Sequence, residues 1–167
     1  MITPQFLGEI INRHALAHGL RPDIVAAVII QESNGNPFAI RYEEGFYSRY
    51  LANKKPEDLN GLVPRGDFAT ELRSRAYSWG AMQVMGDTAR WCAGVTQPYL
   101  SALCDPDVGI EAGCKVLAYY LKKESGDYFR ALTRFNAGDP ESTKGKQYAR
   151  TVLARIDKKE HLRFFVG

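Results

Sequence analysis

The longest apolar run of the chain, 24-IVAAVII-30, leads through Gln31 into a glutamate, Glu32, and then into signals that end a helix at once. Gly35 and Asn36 tolerate left-handed backbone and Pro37 cannot continue a helix, while Pro22 suits a first helical position. The run falls well short of the ~20 residues that cross a bilayer, so it calls for a folded core. A chain of 167 residues is long enough to bury one, and residues 1–167 are expected to form a single domain. Glu32 is out of place in this setting. At helical spacing it lies on the stripe of Val25, Val28 and Ile29, and it faces the negative end of the helix macrodipole, where a cation would be preferred. Both effects penalise the charged form, so the carboxyl pKa is expected to rise. The plain alternative is a surface glutamate snorkelling from a helix end.

The rest of the chain reads as helix after helix. Phe6, Leu7, Ile10, Ile11 and Leu16 recur at helical spacing from Pro4 to about His18. A short helix is expected around 46–52, a loop through 53–66 and another helix around 67–77. Asp87 is a candidate N-cap for a short helix. Asp105 and Pro106 open, and Gly126 closes, the clearest helix; helices follow over 127–135 and from about Ser142 to Lys159. No strand pattern lasts long enough to found a sheet. The class expected is mainly α.

Hydrophobic residues make up 45% and charged residues 25% of the chain, the balance of a globular protein. The formal charge of +3 is too small to argue for nucleic acid, and no recognition-helix motif stands out. Lys144, Lys146, Arg150, Arg155, Lys158, Lys159 and Arg163 gather late in the chain. They read as a solvated helix face, or as a mildly cationic face suited to an anionic polymer. Cys92, Cys104 and Cys114 fit no zinc spacing and form no CxxC, so they are expected to pack as small hydrophobes. No metal or organic cofactor is expected. The opening MITPQFLGEI lacks the regions of a signal peptide, so the expectation is a chain that starts inside a cell or one whose export signal has been removed.

Four segments occur in order: 32-ESNGNPFA-39, 80-GAMQVMGDTA-89, 131-ALTRFNAG-138 and 148-YARTVLARI-156. Together they resemble the soluble lytic transglycosylase family: a Glu-Ser pair followed by Asn-Pro, a Gly-Leu-Met-Gln stretch, Ala-Tyr-Asn-Ala-Gly and a late tyrosine helix. The stretch opening RYEEGFYSRY is similar to versions in phage and prophage wall-degrading proteins. The resemblance implies a mainly α, single compact lysozyme-like domain of goose-type or soluble lytic transglycosylase kind. Its substrate would be peptidoglycan glycan strands, met by a monomer at the bacterial wall, in the periplasm, secreted or on a virion. The β-1,4 bond between MurNAc and GlcNAc would be cut with formation of a 1,6-anhydro-muramoyl end. Two other outcomes stay open, a goose-type lysozyme that hydrolyses the same bond and a catalytically weak wall-binding or secretion-apparatus component.

The resemblance makes Glu32 the sole general acid/base, since the substrate's own 6-hydroxyl supplies the nucleophile. It places Ser33, Met82, Gln83, Met85, Asn136 and Tyr148 at the substrate. The two methionines are equally well read as core, and Ser33 as a capping residue. Gly80 and Gly138 read as turn geometry. Should a second carboxylate be needed, Glu43, Glu44, Asp67 and Glu71 are available, with Glu43 the first to examine. Two positions depart from the pattern. Phe135 replaces a tyrosine, and Gly86 replaces a proline, a change expected only to loosen a turn.

Overall fold

In a computed structural model, which describes residues 2–61 and 66–165, the apolar run forms helix α2, Pro22–Ser33, and every residue from Ile24 to Ile30 is buried. A helix apolar on all sides must be surrounded, and α2 packs against α1 (Pro4–Ala17), α8 (Thr143–Asp157) and a final 3₁₀ turn, Glu160–Phe164. Asn34, in left-handed conformation with φ 55°, caps α2, and Gly35 follows at φ 86°. The stop therefore lies one residue earlier than the Gly35–Asn36 pair expected.

Several helix starts carry side-chain caps. Thr3 accepts from the Phe6 amide, Asp127 from Arg130 and Ser142 from Gly145. Asp105 accepts from the amides of Asp107 and Val108 at the start of α6, Pro106–Lys123. Such caps satisfy otherwise orphaned donors and are worth about 1 kcal/mol each. Helix α7, Tyr128–Ala137, packs along α8 and ends at Gly138.

The chain divides into two compact units, Met1–Gly35 with Cys114–Gly167, and Asn36–Gly113. The first is helical. The second contains a three-stranded antiparallel sheet, β1 (Ile40–Tyr42), β2 (Tyr77–Trp79) and β3 (Val84–Met85), paired Ile40 to Trp79 and Ser78 to Met85. This corrects the expectation of no sheet. The strands are too short to show a period of two, and stacked aromatics mark them instead: Tyr77 lies 5.0 Å from Tyr42 and 5.4 Å from Trp79.

The helix expected at 46–52 begins earlier, as α3 (Glu44–Phe46), and continues as a π-helical turn, Tyr47–Leu51. Part of the loop expected at 53–66 is a 3₁₀ turn, Pro56–Asp58; residues 62–65 lie outside the described residues. Helix α4, Phe68–Arg75, stops before Tyr77 because that residue enters β2. Leu51, Leu72 and Ala76 form a small core with Tyr42, Phe46, Tyr47, Leu59 and Phe68 around it.

Two further expectations change at α5, Gly86–Trp91. Its N-cap is Met85, and Asp87 instead accepts from Arg75 Nη1 at 3.0 Å. Gly86 does more than loosen a turn. A Cβ there would stand 2.4 Å from the Ser74 carbonyl oxygen, so proline at this position would collide with backbone.

Inside the second unit lies a buried ion network. Glu71 is 5% exposed, Arg90 2% and Arg75 0%. Arg90 grips Glu71 with two bonds of 2.9 Å, and Arg75 adds a third at 2.9 Å. Further guanidinium donors go to the carbonyls of Asn60, Val95 and Gln97 and to Asp87. Charges taken out of water persist only when paired and hydrogen-bonded in this way.

Candidate active site

The last turn of α2 carries three polar side chains in succession, Gln31, Glu32 and Ser33, all half-buried. Tyr148, from the face of α8 that packs on α2, donates its hydroxyl to Glu32 Oε1 at 2.6 Å across 116 residues of sequence. The phenol is 8% exposed. Burial, and then the adjacent Glu32 charge, push its pKa well above the usual tyrosine value. Tyr148 therefore stays protonated and acts as a fixed donor to the carboxyl group.

Ser33 turns back to the helix, donating to the Ile29 carbonyl at 3.3 Å. That is the backbone half of its two readings. The neighbours of Glu32 are also held. Arg155, seven residues and two helical turns beyond Tyr148 on α8, donates Nε to Gln31 Oε1 at 3.0 Å. Arg163, in the 3₁₀ turn, donates to both oxygens of Asn34, at 2.8 Å to Oδ1 and 2.9 Å to the carbonyl. Cations at this end offset the negative pole of α2. Neither arginine was singled out by sequence, because each reads there as part of a solvated basic face. The one available signal was the Tyr148–Arg155 spacing, which puts both on one face of a helix.

Asn136 lies exposed in the last turn of α7, next to half-buried Phe135. Gly138 follows at φ 74°, the turn geometry expected of it.

In the second unit, Gln83 adopts a left-handed φ of 48° and donates Nε2 to the carbonyls of Ala39 and Gly80, both at 2.9 Å. Its amide nitrogen thus ties the start of β1 to the turn between β2 and β3. Met82 is 0% exposed and packs against Gly113, where a Cβ would lie 2.3 Å from its sulfur. That burial fits the core reading of this methionine. Met85 is half-buried, with the Ser78 hydroxyl 3.2 Å from its sulfur.

The spare carboxylates are differently occupied. Glu43 is paired with Arg41 at 2.5 Å, and the Ser78 hydroxyl lies 3.5 Å from the same carboxylate oxygen. Asp67 caps α4, and its hydrogen bonds to Thr70 hold its pKa below the usual range. Glu44 is exposed in the first turn of α3. Glu71 is spent in the arginine network described above.

Cys92, Cys104 and Cys114 form no disulfide among the described residues. Burial raises Cys92 to about 11 and also raises Cys104, so both are protonated at neutral pH and poor nucleophiles.

Among family models, the chain matches the transglycosylase SLT domain over residues 9–157. Comparison with curated proteins and with solved structures returned no match.

Proposed function

The chain belongs to the transglycosylase SLT family, whose fold is mainly α and lysozyme-like and whose substrate is peptidoglycan, and from that premise we propose that it is a lytic transglycosylase with Glu32 as its general acid/base. The observation that carries this reading is the 2.6 Å bond from the buried Tyr148 hydroxyl to Glu32 Oε1 at the end of an apolar helix. A proton donor needs a fixed direction, and the bond donated by the Tyr148 hydroxyl engages one carboxyl oxygen, Oε1, as an acceptor. The transferable proton then belongs to Oε2.

The step we propose balances as follows. Glu32 delivers its proton to the glycosidic oxygen between MurNAc and GlcNAc, and the bond from MurNAc C1 to that oxygen breaks. The MurNAc 6-hydroxyl attacks C1 and closes the 1,6-anhydro ring, and its proton returns to Glu32. No water is consumed and no second protein carboxylate is required. Holding the nucleophile within the same sugar supplies the proximity that a second enzyme group would otherwise provide.

Asn136, Gln83 and Met85 are assigned to substrate contact in this reading, whereas Ser33 is bonded to backbone and Met82 is buried. The match over residues 9–157 spans both compact units, which supports treating 1–167 as one catalytic domain. The protein acts as a monomer on glycan strands at the bacterial wall.

Digestion of purified peptidoglycan in ¹⁸O-water, with mass spectrometry of the released fragments, tests the proposal. New sugar ends should be anhydro-muramoyl, lighter by one water than hydrolysed ends and free of label. Label in most new ends would establish hydrolysis instead, and Glu43 would become the group to examine for positioning water.

A further inference from the structure

We propose that the 3₁₀ turn Glu160–Phe164 is a positioning device for Glu32, gripping the end of α2 through Arg163 and Arg155. The inference rests on the reading of Glu32 as the acid/base. Its basis is a run of contacts at successive positions of one helix end. Gln31 is held by Arg155, Glu32 by Tyr148, and Asn34 by the two-pronged bond from Arg163. Arg155 in turn bonds Glu160 at 2.5 Å, so its grip on Gln31 is tied to the same 3₁₀ turn.

The turn is itself seated from two sides. Phe164 is 3% exposed, its backbone lies against Gly8 of α1, and its ring lies against Gly35. The Arg163 guanidinium stands 4.9 Å from the centre of that ring, which fixes the direction of the fork. A C-cap in left-handed conformation has no further helix to hold it. Its two oxygens are the last points at which the register and direction of the Glu32 turn can be set from outside. Tyr148 fixes where one carboxyl oxygen sits, while Arg163 and Arg155 fix where the backbone carrying that carboxyl sits. Displacements on the order of 1 Å at a proton donor are costly to chemistry and leave substrate affinity largely untouched.

The test uses Arg163→Lys and Arg163→Ala in the whole chain. Lysine keeps the charge but cannot fork across two oxygens. Two measurements are read together at a fixed interval below each variant's Tm. One is kcat and KM for peptidoglycan cleavage, and the other is amide hydrogen exchange over residues 31–36 relative to 24–30. The expected result is a kcat lower by about fivefold for lysine and about twentyfold for alanine, with KM within about twofold. Exchange over 31–36 should rise in the same order. Unchanged exchange there would overturn the grip itself. Faster exchange with unchanged kcat would overturn its link to Glu32, leaving only a structural role. Wild-type protein that failed to cut the wall would instead refute the enzymatic reading, and the exchange measurement would still decide the grip.

Discussion

Two glutamates of this chain, half-buried Glu32 and buried Glu71, are treated by the protein in opposite ways. Glu71 is surrounded by guanidinium groups, with three bonds of 2.9 Å from Arg75 and Arg90. Glu32 receives a bond from a neutral phenol, while the arginines of its neighbourhood bond to Gln31 and Asn34. Three charge-assisted bonds to two buried guanidinium groups make Glu71 a structural tie. In the proposed mechanism Glu32 gives up a proton and takes one back. The contrast sets a buried structural carboxylate against the half-buried one proposed for the chemistry, by the charge of the partners described for each.

The strongest way to break this comparison is to replace each carboxylate by its amide in turn. Glu32→Gln is expected to fold normally and to lose about 10²–10⁴-fold in peptidoglycan cleavage, the usual worth of a general acid/base. Clearing of a wall suspension at near wild-type rate would remove Glu32 from that role. Glu71→Gln is expected to reverse the pattern. It leaves two buried guanidiniums short of their counter-charge and should lower unfolding free energy by about 3–5 kcal/mol, measured by urea denaturation. Stability unchanged within error would mean that the network is not a structural tie.

Tyr148→Phe sharpens the same contrast on the catalytic side. The ring keeps its place in the core, and only the bond to Glu32 disappears. Turnover should fall about tenfold, the scale of one hydrogen bond to a charged group, while Tm moves by only a few degrees. A loss as large as that of Glu32→Gln would show that the hydroxyl takes part in proton transfer directly. The smallest effect is expected for Phe135→Tyr, which restores the hydroxyl usual in the family. Turnover should hold or rise slightly with no change in Tm. A large fall in turnover at constant Tm would mean that the surroundings have been rebuilt around phenylalanine.

How much of this was legible beforehand depends on the range of the interaction. Helices α1, α2, α6, α7 and α8 could be read because their caps and breakers are local: Pro22, Asp105 with Pro106, Asp127, Ser142 and Gly138 each act within a turn of their own position. The sheet could not be read, since two or three residues give no alternation. Asp87 looked like a cap and proved to be a partner of Arg75, because its tertiary contact outweighs its local propensity. Glu32 was visible as a local contradiction, a carboxylate at the wrong end of an apolar helix. Tyr148 needed the family pattern. Arg155 and Arg163 stayed hidden because a guanidinium aimed inward and one aimed at water have the same sequence. Gly86 looked like a loosened proline and is in fact fixed by the backbone of residue 74.

The contact at Gly8 bears on when the protein becomes competent. A Cβ at residue 8 would stand 2.0 Å from the Phe164 carbonyl oxygen, so the first helix offers a notch that the 160–164 turn fills. Residue 164 is synthesised after everything it holds in place, and domains generally acquire structure in the order of synthesis. A nascent chain can therefore assemble α1, α2 and even α8 before the grip on the end of α2 exists. The grip on the end of α2 can form only once residues 160–164 have left the ribosome, a dependence set by the absence of one side chain at position 8.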